Sequence, residues 1–81
     1  MKKVIRFTAS WCQPCKALAS VLEDITTEVP IEVVDIDSNP AIATQYRVRG
    51  VPTLIMIKDD QEIKRMSGVK AKNLVEEWIN S

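Results

Sequence analysis

Histidine is absent from the chain of 81 residues, so no imidazole can act as a general base or as a metal ligand. Acid–base chemistry therefore falls to cysteine, carboxylate, lysine or tyrosine side chains, or to water. An excess of one charge is also absent, because 11 Lys and Arg residues balance 11 Asp and Glu residues. Nucleic-acid binders carry a basic excess, so the composition argues against a nucleic-acid partner.

Long apolar runs are missing as well, and none approaches the length that crosses a bilayer. Arg6 interrupts the short apolar stretch after the charged start Met1-Lys2-Lys3, so we expect no signal peptide, no transit peptide and no membrane partner. A hydrophobic content of 46% argues against a disordered tail. Together these features predict a single domain over residues 1–81 that resides in the cytoplasm.

Only two cysteines are present, and both lie in the segment Trp11-Cys12-Gln13-Pro14-Cys15-Lys16. A disulfide-stapled scaffold of this size would use several bridges between distant parts of the chain, whereas this pair is local. A zinc site wants four ligands, so two Cys and no His would suffice only if two chains shared the metal. Covalent haem needs a His after the second Cys, and position 16 is Lys. The remaining alternatives are a redox pair and two ordinary buried cysteines.

The hydrophobic pattern predicts the element order βαβαββα. Strands are expected over residues 3–7, 31–36, 53–57 and 62–66, and a short helix over 40–46 with Asn39 as its N-cap. A first helix of about four turns is expected from an apolar stripe, and a final helix from a second one. The stripes are Leu18, Val21, Leu22, Ile25 and Val29, and then Ala71, Leu74, Val75 and Trp78. The first two strands should be parallel and the last two an antiparallel hairpin, which predicts an α/β fold with a mixed four-stranded sheet flanked by helices.

Two cysteines three residues apart in the first turn of a helix have Cα atoms about 5 to 6 Å apart, within disulfide range. The ring that such a bridge closes is short, so the bridge stabilises the fold by only about 2 kcal/mol. This low value favours a reactive disulfide over a structural one.

The surroundings assign different roles to the two thiols. Cys12 falls at the helix N-terminus with Lys16 one turn away, and both features should depress the pKa of the Cys12 thiol. Cys15 lies one turn further in and should be less exposed. We therefore expect Cys12 to attack a substrate disulfide and Cys15 to resolve the mixed disulfide. Pro14 stiffens the loop, and Trp11 offers a flat apolar surface beside the nucleophile.

Several segments resemble the thioredoxin family. Phe7-Thr8-Ala9-Ser10-Trp11-Cys12-Gln13-Pro14-Cys15-Lys16 resembles the active-site segment, and Tyr46-Arg47-Val48-Arg49-Gly50-Val51-Pro52-Thr53 is similar to the second signature. Ser67-Gly68-Val69 matches the third substrate-facing loop, and Asp35-Ile36-Asp37-Ser38-Asn39-Pro40 resembles the strand-to-helix connection. By this resemblance, we expect the fold to be without the extra N-terminal strand and helix of a full-length thioredoxin. The chain resembles the compact thioredoxin-like proteins of some archaea, bacteria and phages, which share their reduced, glutaredoxin-like fold with glutaredoxins.

The resemblance implies a thioredoxin-like fold with strand order 2-1-3-4 and a substrate-binding surface beside the cysteines. Within that surface, Val51-Pro52 is expected to be a cis peptide, and the backbone of Val51 to pair with the substrate like an added strand. Trp11, Thr53 and Gly68 are expected to face the substrate as well.

By the same resemblance, the protein is a monomeric protein-disulfide reductase with no bound cofactor or metal, whose electrons pass through the Cys12–Cys15 pair. Its expected electron donor is a flavin-dependent thioredoxin reductase fed by NADPH. Its expected acceptors are disulfide-containing proteins, with ribonucleotide reductase as one candidate, in the cytoplasm or in the host cytoplasm of a phage. Two alternatives stay open: a glutaredoxin-like reductase that uses glutathione, and a non-enzymatic binding subunit.

Three positions depart from the family pattern. Arg6 replaces the buried Asp that usually precedes the first cysteine by six residues, Val33 replaces the Lys that often partners it, and Gln13-Pro14 replaces the common Gly-Pro. Arg6 is expected either to reach the rim and pair with Asp35 or Asp37, or to approach the thiols and favour their ionised form. In the second case the disulfide should be less reducing than that of a thioredoxin with the Asp.

For three further side chains, we predict only whether they lie in the core or on the surface. Trp78 should belong to the core because of its spacing with Leu74 and Val75. Arg47 and Arg49 should form a solvated face, or alternatively help to select a partner through their charge.

Overall fold

The computed structural model describes all 81 residues and has the order βαβαββα that the hydrophobic pattern predicts. The elements are β1 (Lys2–Thr8), α1 (Gln13–Glu23), β2 (Ile31–Asp35), α2 (Pro40–Gln45), β3 (Thr53–Lys58), β4 (Gln61–Ser67) and α3 (Lys72–Asn80). Asp59 and Asp60, which join β3 to β4, both adopt left-handed backbone, with φ of 52° and 68°. Asp tolerates this conformation better than most residues, which explains a tight turn without glycine.

The four strands form one mixed sheet in the order β2-β1-β3-β4. β1 pairs in parallel with β2 and antiparallel with β3, and β3 pairs antiparallel with β4. The predicted fold class and strand order are therefore confirmed. Arg6 in β1 stands opposite Val33 of β2 and Leu54 of β3.

Alternate residues of the central strands enter cores on opposite faces of the sheet, as the two-residue period of a strand requires. One face carries Val4 and is covered by α1 and α3; its other buried members are Leu18, Leu54, Met56, Val75 and Ile79. The opposite face carries Ile5 and Phe7 and is covered by α2; its other buried members are Val34, Ala43, Ile55 and Ile57. Strand β3 is buried over Thr53–Ile57, as expected for a central strand.

Helix α1 is shorter than the apolar stripe predicts, since it ends at Glu23 and Asp24 caps it. Ile25 and Val29 lie beyond the helix but still pack against the same core cluster. The backbone at Thr26 is held by α3 instead: its N–H donates to the Glu76 carboxylate at 2.7 Å, and its carbonyl accepts from Asn80 Nδ2 at 2.9 Å. Tertiary contacts thus replace the expected fourth helical turn.

Helix α3 buries Val75 and Ile79, four residues apart, rather than Leu74. Leu74 is 52% exposed, so its predicted place in the core is wrong. Trp78 packs against the edge of the core, and the ammonium of Lys64 lies 4.8 Å from the centre of its ring. None of the three helices combines the length and the apolarity needed to cross a membrane.

Candidate active site

Three loops meet at one end of the sheet, where β1 and β4 end and β3 begins. The register explains the meeting, because Thr53 pairs with both Phe7 and Ser67. One hydrogen bond joins two of the loops, since the Gly68 N–H donates to the Pro52 carbonyl at 3.0 Å. A second holds the loop before β3 in shape, since Thr53 Oγ1 donates to the Gly50 carbonyl at 2.8 Å.

Cys12 and Cys15 form a disulfide at this end of the sheet, with their Cα atoms 5.2 Å apart. Cys12 is the N-cap of α1, and its Sγ accepts a hydrogen bond from the Cys15 backbone N–H at 3.2 Å. Pro14 occupies the first turn of the helix, where its missing N–H costs nothing. The two cysteines are 4% and 1% exposed, so Cys15 is the deeper of the two, as predicted.

The electrostatic surroundings of Cys12 favour negative charge. The first turn of α1 contains no acidic residue, and the exposed Lys16 lies one turn from Cys12. Unpaired backbone N–H groups and the positive end of the helix dipole add to this field. The chain has no cluster of three or more Cys, Asp or Glu side chains that could hold a metal ion.

Trp11 is 65% exposed beside the disulfide, and its indole Nε1–H donates to the Asp37 carboxylate at 2.8 Å. Asp37 follows β2, so the contact joins the loops after the two parallel strands. The sequence indicated Asp37 as part of the strand-to-helix connection and as a possible partner of Arg6, but not as a partner of Trp11. A separation of 26 residues hides its contact with Trp11, and only the parallel pairing of β1 with β2 brings the two loops together.

Val51 presents free backbone groups to the disulfide. Its carbonyl oxygen lies 3.7 Å from Cys12 Sγ, and its side chain packs against Ala9 and the two cysteines. The Val51–Pro52 peptide bond is cis. No backbone hydrogen bond within the chain uses the N–H or the carbonyl of Val51. The Val51 N–H has no partner within the chain, and the disulfide-bonded Cys12 Sγ has no proton to donate to the carbonyl, so an extended peptide could pair with both groups.

The expectation that Arg6 pairs with Asp35 or Asp37 is wrong. Asp35 Oδ1 accepts instead from the backbone N–H groups of Asp37 and Ser38, at 2.8 and 3.2 Å, and Asp37 holds Trp11. Arg6 forms no ion pair and lies half-buried on the sheet face that α1 covers. Burial lowers the pKa of its guanidinium from the ordinary value, because desolvation disfavours the charged form.

The other residues singled out in the sequence lie around the disulfide or on the surface nearby. Gln13, Pro14 and Lys16 are exposed on the first turn of α1. Gly68 is half-buried at the end of β4 with φ of 81°. Tyr46 packs against Phe7 in the core, with ring centres 5.9 Å apart, and so lies away from the thiols.

Comparison with known proteins gives one consistent result. The family model described as Thioredoxin matches residues 1–81. The chain is 49% identical over 73 residues to a thioredoxin of Chlamydia trachomatis serovar D, an alignment that covers 86% of this chain and 72% of that protein. It is 44% identical over 73 residues to a thioredoxin of Mycobacterium bovis, covering 85% of this chain and 63% of that protein.

The fold also matches a solved thioredoxin structure. A mutant thioredoxin from Halobacterium salinarum superposes with a TM-score of 0.89 at 32% identity, covering 96% of this chain and 71% of that one. The chain therefore spans 63 to 72% of the length of these relatives, and it includes the segments that surround the disulfide.

Proposed function

Because the chain belongs to the thioredoxin family and is a protein-disulfide reductase with a Cys12–Cys15 redox pair, we propose that Cys12 is the nucleophile and Cys15 the resolving cysteine. The observation that carries this assignment is the position of Cys12, at the N-cap of α1 and beside the unpaired backbone of Val51. Cys15 lies within the helix and is almost fully buried, so it can reach only the neighbouring sulfur.

The proposed reaction begins with the reduced protein. The Cys12 thiolate attacks one sulfur of the substrate disulfide, a mixed disulfide forms, and the other substrate sulfur leaves as a thiolate that takes up a proton. Cys15 then loses its proton and attacks the Cys12 sulfur. The Cys12–Cys15 bond forms as the second substrate thiolate leaves and is protonated. The substrate gains two electrons and two protons, which the dithiol loses.

In this proposal, the departing substrate thiolate or a water molecule accepts the proton of Cys15. Two observations support it: the family's usual Asp position holds Arg6, and the chain has no histidine. A thiolate that leaves within reach of Cys15 can accept its proton directly.

The substrate segment is proposed to lie along Val51, in extended form, between Trp11 on one side and Gly68 on the other. The free N–H and carbonyl of Val51 support this placement, since backbone pairing holds a peptide with little dependence on its sequence. The bond between Gly68 and Pro52 joins the end of β4 to the loop that carries Val51, and the Thr53 hydroxyl closes the turn of residues 50–53, which contains Val51.

Family membership implies a thioredoxin reductase as electron donor and disulfides as substrates. We propose that the donor draws electrons from NADPH through a flavin and that the acceptors are cytoplasmic enzymes, with ribonucleotide reductase as one candidate. The protein itself would need no bound cofactor beyond its disulfide. The site is complete within one chain, which supports action as a monomer.

We also propose that Arg6 raises the reduction potential of the pair. Arg6 lies on the sheet face beneath α1, the helix that Cys12 caps and that contains Cys15, and no carboxylate neutralises it. A positive charge there stabilises the thiolates of the reduced form. Stabilising the reduced form makes the disulfide a stronger oxidant.

The reduction of insulin disulfides with dithiothreitol as electron source tests the proposal. Wild type should accelerate insulin precipitation over dithiothreitol alone, and Cys12→Ser should abolish the acceleration. Cys15→Ser is the matched control: when it is reduced beforehand and freed of dithiothreitol, it should retain attack by Cys12 and accumulate a covalent complex with one insulin chain. Activity that survives Cys12→Ser would contradict the assignment.

The electron donor needs a separate assay. NADPH oxidation is followed with a thioredoxin reductase, or with glutathione and glutathione reductase, while insulin serves as acceptor. We expect turnover with the first system; turnover with the second alone would favour the glutathione-dependent alternative. A biological activity that survives replacement of both cysteines by Ser would favour the binding-subunit alternative.

A further inference from the structure

A cavity of about 340 Å³ opens beside the proposed substrate strand, on the side away from Trp11. It adjoins Val51, Pro52 and Gly68, and three arginines line it. These are Arg47 and Arg49 from the loop after α2, and Arg65 from β4. The cavity thus continues the surface along which the substrate segment is proposed to lie.

The charge of this cavity is positive in a chain whose formal net charge is zero. Of the three arginines, only Arg65 has a carboxylate partner, Glu62. Arg47 and Arg49 form no ion pair and are exposed. The three cations and one neighbouring anion leave two unbalanced positive charges beside Val51, so positive charge is concentrated where a substrate would approach.

Arg65 is held in a fixed position. Its Nε and Nη2 donate to the Glu62 carboxylate at 2.6 and 2.7 Å, and Nη2 also donates to the Tyr46 carbonyl at 2.8 Å. The contact with Tyr46 ties β4 to the loop that carries Arg47 and Arg49. The two N–H groups on Nη1 have no partner within the chain and remain available for a ligand.

Arg47 occupies a backbone position that suits glycine. Its φ is 55°, and it closes α2 with a bond from its N–H to the Thr44 carbonyl, while the Val48 N–H reaches the Ala43 carbonyl. This pattern is a helix C-terminal motif in which Gly is the favoured residue. A side chain at such a position costs stability, and the guanidinium of Arg47 at the cavity offsets that cost if it binds a ligand.

We propose that this arginine-lined cavity binds carboxylates that flank the substrate disulfide, so that the preferred substrates are disulfides within acidic protein segments. The inference rests on the proposed function, because it requires a substrate strand paired with Val51. Residues of such a strand rise about 3.3 Å each, which brings an Asp or Glu one to three positions from the cystine within reach of the arginines. Arg is the residue that best matches a carboxylate, through two parallel hydrogen bonds.

Three peptides with one intramolecular disulfide test the proposal. They are identical except for two flanking positions, which are Asp, Asn or Lys, and oxidised glutathione is a fourth substrate because it also carries carboxylates. The rate of oxidation of the pre-reduced protein is measured at low and at high salt. We expect the Asp peptide to react about fivefold faster than the Asn peptide at low salt, with the Lys peptide slowest, and the difference to shrink at high salt.

Two double variants with the same change in charge separate the cavity from the net charge. Arg47→Gly with Arg49→Gln should bring the ratio of the Asp and Asn rates close to one, and the glycine suits the backbone at position 47. Lys3→Gln with Lys58→Gln removes two cations from the opposite end of the sheet and should leave the ratio near its wild-type value.

Equal rates for the Asp and Asn peptides in the wild type would overturn the proposal while leaving the reductase function intact. Loss of the preference in both double variants would overturn it as well, because net charge would then be the cause. Faster reaction with oxidised glutathione than with the Asp peptide would assign the cavity to the small molecule and overturn the protein-segment assignment. Failure to reduce any of the four substrates would overturn the proposed function itself.

Discussion

The backbone N–H of Gly68 donates a hydrogen bond to the carbonyl oxygen of Pro52 at 3.0 Å, and this bond joins the end of β4 to the loop that presents Val51. Gly68 can make it because its φ is 81°, in the left-handed region that residues with a Cβ rarely adopt. The relative position of two loops beside the disulfide thus depends on one glycine.

Replacement of Gly68 by Ala should therefore destabilise the protein by about 1 kcal/mol, through backbone strain rather than a clash. Nothing lies within 4 Å of a Cβ built at Gly68 or at Gly50, so the two sites differ in backbone conformation and not in space. Gly50→Ala is the matched control and should cost less. Urea unfolding at equilibrium measures both values, and equal losses in the two variants would contradict the explanation.

Arg6→Leu should stabilise the protein by about 1 kcal/mol. The guanidinium is half-buried between Val33 and Leu54 without an ion pair, and a desolvated charge is costly where no partner offsets it. Arg6→Lys retains the charge and is the control. Urea unfolding of the oxidised proteins checks the prediction, and a wild type more stable than Arg6→Leu would show that Arg6 has a compensating contact.

Removal of the same charge should also make the disulfide more reducing. The thiolates lose a stabilising cation, so the reduced form becomes less stable and the potential more negative, by about 10 to 20 mV. Equilibration with a glutathione redox buffer measures the potentials of wild type, Arg6→Leu and Arg6→Lys. Identical potentials in wild type and Arg6→Leu would show that Arg6 does not raise the reduction potential of the disulfide.

Glu62 should contribute stability that depends on pH. The hydrogen bonds from Arg65 lower the pKa of the Glu62 carboxyl below its ordinary value of 4.5. A folded-state pKa below the unfolded value means that the contribution is complete above about pH 4.5 and is lost as the pH falls through the folded-state pKa.

Unfolding free energies measured between pH 7 and pH 2.5 check this prediction. Wild type should lose more stability than Glu62→Gln as the pH falls below about 4.5. Glu28→Gln is the control, because Glu28 is exposed and forms no ion pair. Parallel curves for wild type and Glu62→Gln would show that the pair with Arg65 does not contribute in solution.

The fold follows from the sequence because its local patterns agree with one another. Alternation in the strands, Pro14 and Pro40 at helix starts and Asp59-Asp60 at the hairpin each indicate the observed element. The structure differs from the prediction where contacts between distant segments determine the end of a helix or the burial of a side chain. Helix α1 ends early because α3 holds Thr26, and the exposure of Leu74 depends on how α3 is rotated against the sheet.

The candidate site likewise has features that the sequence predicts and features that only the fold brings together. The segment from Trp11 to Lys16 carries its chemistry in consecutive residues, so the sequence alone indicates the disulfide and its position at a helix start. The contact of Trp11 with Asp37 spans 26 residues and depends on the pairing of β1 with β2. The position of Arg65 beside Val51 depends on the pairing of β3 with β4. At Arg6 the sequence predicted an ion pair that the structure does not contain, because Asp35 and Asp37 both accept hydrogen bonds from other groups.

The account depends most on the reactivity of Cys12 in the reduced protein, and alkylation by iodoacetamide followed by mass spectrometry measures it directly. At pH 7 we expect Cys12 to react at least about threefold faster than the cysteine of an unstructured peptide, and Cys15 to be protected. Variants with a single cysteine, Cys12→Ser and Cys15→Ser, assign the two rates. A Cys12 that reacts no faster than the peptide thiol, or more slowly than Cys15, would contradict the assignment of Cys12 as the nucleophile.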